Sequence, residues 1–99
     1  MRPTAAPTPL KSARTTILNS LGLHARPAMA FVDAASKFIS DIRVRRMDVP
    51  EEVDGKSIMQ MLLLAATQGT ELEIACDGPD ADAALAELVR LVESRFDEE

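Results

Sequence analysis

The stretch Thr70 to Cys76, TELEIAC, alternates between charged and apolar side chains: Glu71 and Glu73 fall on one side, Leu72, Ile74 and Cys76 on the other. A period of two is that of a β-strand, so this segment lies in a sheet with one dry and one wet face. Ser40 to Met47, SDIRVRRM, repeats the pattern, with Ile42 and Val44 set against Arg43 and Arg45. A one-sided sheet must be covered on its dry side, and the chain supplies amphipathic segments for that purpose.

From Ala25 onward, Ala28, Phe31, Val32, Ala35 and Phe38 recur at helical spacing, which predicts a first helix with one buried stripe. A second helix opens at Ser57 and runs through IMQMLLLAA to about Thr67, with Gly69 as its stop signal. A third follows the DGP turn, with Asp80 as N-cap and a stripe of Ala84, Leu85, Leu88, Leu91, Val92 and Phe96. SARTTIL, rich in β-branched residues, reads as a first strand closed by the turn signals Asn19-Ser20 and Gly22. A short strand is expected near Val53. The order is therefore β-α-β-β-α-β-α, an α+β domain with three helices on one face of the sheet and the other face open to water.

Composition narrows the class. With three Phe and no Trp or Tyr the core must be aliphatic. A formal charge of −5 argues against nucleic acid as the main partner. Arg43, Arg45 and Arg46 crowd one segment and are read as a solvated strand face. The single cysteine, Cys76, excludes an internal disulfide and makes no zinc pattern with the lone histidine; it is expected to be a small buried apolar residue. No apolar run is long enough to span a bilayer, and a cytoplasmic protein is expected. Residues 1–11 read as a disordered leader, 12–96 as the domain and 97–99 as an acidic tail.

The only histidine, His24, lies in GLHARPAMAF at the start of the first helix. As N-cap it would be followed by Ala25, Arg26 and Pro27 as the first turn, where proline is tolerated. The early N–H groups, the positive helix end and the Arg26 guanidinium together make an anion site. A neutral imidazole beside such a site can attack phosphorus near neutral pH, where a hydroxyl would need an activating base. The alternative is a surface histidine that merely caps a helix, and a metal site is a poorer reading still. The second helix is apolar almost all round between Ser57 and Thr67, apart from Gln60. A domain of this size cannot enclose such a helix, so some of Ile58, Met59, Met61, Leu62 and Leu63 should stay exposed as a protein-binding patch, unless a homodimer or deeper packing covers them. Ser57 and Gln60 fit a capping box. A phosphate on Ser57 would add about two negative charges beside that patch and repel a docking partner without unfolding the domain.

GLHARPA and GKSIM together resemble the active-site and regulatory-serine motifs of the histidine-containing phosphocarrier (HPr) family of the phosphoenolpyruvate:sugar phosphotransferase system. TQGTELEI falls where that family has a similar turn and strand, and the similarity runs from about Ser12 to Glu93. The resemblance implies an open-faced β-sandwich with a four-stranded antiparallel sheet. It implies that His24 carries a phosphoryl group on Nδ1 with Arg26 assisting, that enzyme I donates it, and that EIIA units of sugar permeases accept it. It implies that HPr kinase/phosphorylase modifies Ser57 and that Ile58, Met59 and Leu62 dock partners. It implies a monomeric stoichiometric carrier rather than a turnover catalyst, with no cofactor, metal, nucleic acid or membrane insertion. The connection MDVPEEVDG is about two residues longer than usual for the family and lacks its Asn-Gly turn, and Gln60 replaces a lysine that some members carry. Two other classes compete: an HPr-like regulatory module controlled through Ser57 with no sugar-transport role, and a structural domain with neither chemistry.

Overall fold

The computed structural model describes residues 10–97. Its elements are β1 (Leu10–Thr16), α1 (Ala25–Ala35), β2 (Asp41–Arg46), β3 (Val53–Asp54), α2 (Ile58–Leu63), β4 (Glu71–Asp77) and α3 (Ala81–Glu93), closed by a short 3₁₀ turn at Arg95–Asp97. The strands form one sheet in the order β1-β4-β2-β3, with every neighbouring pair antiparallel. This is the β-α-β-β-α-β-α open-faced α+β sandwich that the alternating segments predict.

Register explains why the sheet is one-sided. Ile42 pairs with Cys76, Val44 with Ile74, and Thr15 with Leu72, so these side chains project to the same face. All six are buried there beneath α1, α2 and α3, with Ala28, Phe31, Met61, Ala84, Leu88 and Val92 supplied by the helices. Arg43 and Arg45 point the other way. Arg43 pairs with Asp41 at 3.1 Å, and Arg45 meets Glu73 at 3.0 Å across the strand boundary while also donating to the Val49 carbonyl. Arg46 turns to Asp48, at 2.6 Å, and to the Leu64 carbonyl at 3.2 Å. Arg43 and Arg45 thus form a partnered strand face, whereas Arg46 pairs in register with Leu72 and lies on the helix-covered side, so the expected single face of three arginines does not hold. Cys76 is a buried free thiol, and burial pushes its pKa up to about 11.

Four boundaries differ from the sequence reading. β1 starts at Leu10, two residues before the expected Ser12, because the pairing with β4 extends to Asp77. Leu10 and Lys11 therefore belong to the sheet, while the rest of the expected leader and Glu98-Glu99 of the expected tail lie outside the described residues. α1 stops at Ala35, and Phe38 packs against the core from the following loop. α2 ends at Leu63, well short of Thr67, because Ala65 adopts a left-handed backbone (φ 51°); Gly69 (φ 89°) serves a later turn in which its N–H donates to the Ile17 carbonyl. α3 stops at Glu93, and Phe96 reaches the core through the left-handed turn at Arg95–Asp97.

Asp80 occupies the N-cap position of α3, but its carboxylate does not cap that helix. It accepts instead from the backbone N–H groups of Ile39 and Ser40, each at 2.9 Å, and from the Ser40 hydroxyl. These bonds tie the α1–β2 loop to the start of α3. They hold the Asp80 carboxyl below the usual carboxylate range, the Ser40 hydroxyl contributing most.

Candidate functional site

His24 is the N-cap of α1, with an extended backbone (φ −80°, ψ −170°), and its carbonyl accepts the first helical bond from Ala28 at 3.0 Å. The imidazole makes no capping bond to the helix. The plain capping role is therefore not what this side chain performs. His24 is half-buried, Ala25 and Arg26 are exposed, and Pro27 is buried in the first turn. The first N–H groups of a helix have no intrahelical acceptor, and no acidic side chain stands in the first turn of α1. The arrangement can hold an anion beside an imidazole: backbone donors and a positive helix end stand next to His24, and exposed Arg26 lies in the same first turn.

The segment leading to His24 is laid against the chain that follows α2. Ile17 N–H donates to the Thr70 carbonyl at 2.9 Å, Gln68 Nε2 to the Leu18 carbonyl at 3.0 Å, and Leu23 N–H to the Ala66 carbonyl at 2.8 Å. Within the loop Asn19 Nδ2 donates to the Gly22 carbonyl at 2.6 Å. Gly22 combines a left-handed backbone (φ 69°) with a close approach: a Cβ there would stand 2.6 Å from the Ala66 oxygen and 2.8 Å from Thr67 Cα. Only glycine satisfies both conditions.

Ser57 is the N-cap of α2, its hydroxyl accepting from Gln60 N–H at 3.2 Å. The capping box is only half formed. Gln60 Oε1 accepts from Asp54 N–H at 2.9 Å rather than from Ser57. Lys56, the neighbour of Ser57, donates its ammonium to the Phe38 carbonyl beyond α1.

His24 and Ser57 are not brought together. Ser57 opens α2, whereas Leu23 touches the chain just past the other end, so roughly 10 Å of helix at about 1.5 Å per residue separates the two. What joins them is the surface of α1 and α2, which pack side by side. On α2, Met59 and Leu63 are 70% and 76% exposed, Leu62 is partly exposed and Ile58 half-buried, while Met61 is fully buried. The expected apolar patch therefore exists without Met61. Leu21 and Met29, 75% and 55% exposed, flank His24 in the chain as further exposed apolar side chains. Sequence reasoning passed over both; Met29 falls outside the buried stripe of α1, which was the available signal.

A family profile described as the PTS HPr component phosphorylation site matches residues 11–94. The chain belongs to the HPr family. It is 50% identical over 84 residues to the phosphocarrier protein HPr of Pseudomonas aeruginosa, covering 84% of this chain and 91% of that one. It is 46% identical over 83 residues to HPr of Treponema pallidum, covering 84% and 92% respectively. The fold matches a crystal structure of HPr from Thermoanaerobacter tengcongensis with a TM-score of 0.84 at 43% identity, covering 90% of this chain and 98% of the other. The protein is accordingly an HPr-type phosphocarrier of the phosphotransferase system. No helix among the described residues is long and apolar enough to cross a membrane.

Proposed function

We propose that His24 accepts a phosphoryl group on Nδ1 from phosphorylated enzyme I and passes it to EIIA units of sugar permeases. The imidazole attacks phosphorus as a new N–P bond forms. The donor's bond to phosphorus breaks, its electron pair leaving with the donor. Arg26 and the first N–H groups of α1 take the phosphoryl charge, and because the helix fixes those N–H groups before transfer they cost little reorganisation. The observation that carries this reading is an imidazole at the N-cap of α1 that does not cap the helix. The protein is consumed and regenerated stoichiometrically as a cytoplasmic monomer, rather than turning over as an enzyme.

Ile58, Met59 and Leu62 form the docking contacts, and phosphorylation of Ser57 by HPr kinase/phosphorylase weakens docking by placing charge at the start of that surface. The HPr-like domain runs from Leu10, at the start of β1, to Asp97, at the end of the closing turn. Labelled phosphoenolpyruvate with enzyme I tests the acceptor. Acid-labile label that disappears in His24→Ala and falls in Arg26→Ala is expected. Label that persists in His24→Ala would refute the assignment. HPr kinase with labelled ATP should give acid-stable label lost in Ser57→Ala, and Ser57→Asp should slow transfer to His24. Serine labelling without any label from phosphoenolpyruvate would instead select the regulatory module.

A further inference from the structure

α2 ends without a glycine. Helices that stop in a left-handed residue usually place glycine there, since a Cβ disfavours that backbone region. Here the position is Ala65, at φ 51°. Its neighbours are fixed on both sides. The Leu64 carbonyl accepts from Arg46 Nη1 at 3.2 Å, which ties the end of the helix to β2. The Ala66 carbonyl accepts from Leu23 N–H at 2.8 Å, and it lies so close to Gly22 that a Cβ there would stand 2.6 Å from its oxygen.

The geometry has a direct consequence one residue further on. Leu23 precedes His24, and the peptide joining them sets where the Cα–Cβ bond of His24 points relative to the first turn of α1. The peptide N–H of Leu23 is held by the Ala66 oxygen, and that oxygen is aimed by the backbone angles of Ala65. A right-handed Ala65 would continue α2 and swing the Ala66 carbonyl away from Leu23. Ala65 itself is exposed, so nothing its methyl group packs against demands this conformation.

We infer that Ala65 is a positioning residue for His24: its left-handed turn aims the Ala66 carbonyl at Leu23 N–H and so holds the imidazole at the N-terminus of α1. The inference rests on His24 being the phosphoryl acceptor. It assigns to the end of α2 a role separate from docking. The imidazole is pre-set against the helix donors before any partner arrives.

Three variants of the full chain test it. Ala65→Gly keeps the left-handed backbone accessible, and Ala65→Val penalises it at an exposed position. A semisynthetic backbone ester at Leu23 replaces the N–H with an oxygen, with Asn19→Ala as the control for the weakened Gly22 carbonyl that accepts from Asn19 Nδ2. Phosphoramidate serves as the donor, because it phosphorylates imidazole without a protein partner. The readouts are the rate of label acquisition, the ¹⁵N shifts and pH titration of the His24 imidazole, and circular dichroism to confirm folding at the assay temperature. Ala65→Val and the Leu23 ester should each accept label about tenfold more slowly and show displaced imidazole shifts, since small misplacements of a reacting group are costly. Ala65→Gly should match the unmodified protein in both readouts.

A folded Leu23 ester with the parent rate and unchanged imidazole shifts would overturn the inference, and it decides the matter if Ala65→Val fails to fold. The same holds if Ala65→Gly is as slow as Ala65→Val. Parent protein that takes no label on His24 would remove the acceptor assignment, and this inference with it. Parent labelling with insensitive variants removes the inference alone.

Discussion

Gly22 and Gly69 both have left-handed backbones, at φ 69° and 89°, yet they differ in surroundings. A Cβ on Gly69 would meet nothing within 4 Å, whereas one on Gly22 would stand 2.6 Å from the Ala66 oxygen. Replacing either with alanine incurs a left-handed penalty of about 1–2 kcal/mol. About 0.4–1 kcal/mol of that is recovered because alanine restricts the unfolded chain. Gly69→Ala should therefore cost roughly 0–1.5 kcal/mol by these terms.

Gly22→Ala adds a clash with a backbone oxygen that is itself accepting from Leu23. Overpacking costs about 1–3 kcal/mol, and losing the hydrogen bond adds about 1 kcal/mol if the oxygen is displaced. The sum is roughly 2–5 kcal/mol, a fall in melting temperature of at least about 8 °C for a domain of this size. Urea denaturation of both variants, with free energies compared at constant m-value, measures the difference. Equal destabilisation by the two substitutions would refute the argument, because it would leave the close approach to Ala66 with no energetic weight.

The two methionines of α2 that flank Gln60 should separate stability from recognition. Met61→Ala should cost about 2–5 kcal/mol as a core truncation, while exposed Met59→Ala should melt like the parent and lose rate only in protein-dependent phosphoryl transfer. Asp80 has its carboxyl pKa depressed in the folded state, so its contribution is present above the unfolded value and disappears as pH falls through the folded one. Urea melts of the parent and Asp80→Asn should therefore differ at neutral pH and converge in acid below the ordinary carboxylate range; a gap that persists there would point to a charge-independent role. Cys76, with its thiol pushed up to about 11, should resist alkylation at mildly alkaline pH in the native protein and react at the rate of opening; rapid native alkylation would contradict its burial.

The parts of the fold that follow from local pattern were legible. Alternation in 40–47 and 70–76 placed Ile42, Val44, Leu72, Ile74 and Cys76 on the dry face, and the register of β2 with β4 puts all five there. Spacing located α1, and the sequence around His24 located its N-cap. Where local signals misled, a distant contact had outweighed them. The end of α2 looked like Thr67 because Ala65-Ala66 is good helix-forming sequence, but the hydrogen bond to Leu23 and the bond from Arg46 reward stopping earlier. Asp80 had the side chain of an N-cap, yet three donors from the 39–40 loop offered its carboxylate more than its own helix could.

The amino-acid sequence by itself determined the class of chemistry and the order of elements: one imidazole before a helix, an arginine in its first turn, and side-chain periods that distinguish strand from helix. These depend on neighbours within a few residues, so they can be read along the chain. Tertiary structure alone decided that the His24 loop lies against residues 66–70, that Met61 is core while Met59 is surface, and that Ser57 sits at the far end of α2 from His24. Those outcomes depend on which groups meet across the folded domain, where a backbone oxygen more than 40 residues away satisfies the N–H of Leu23.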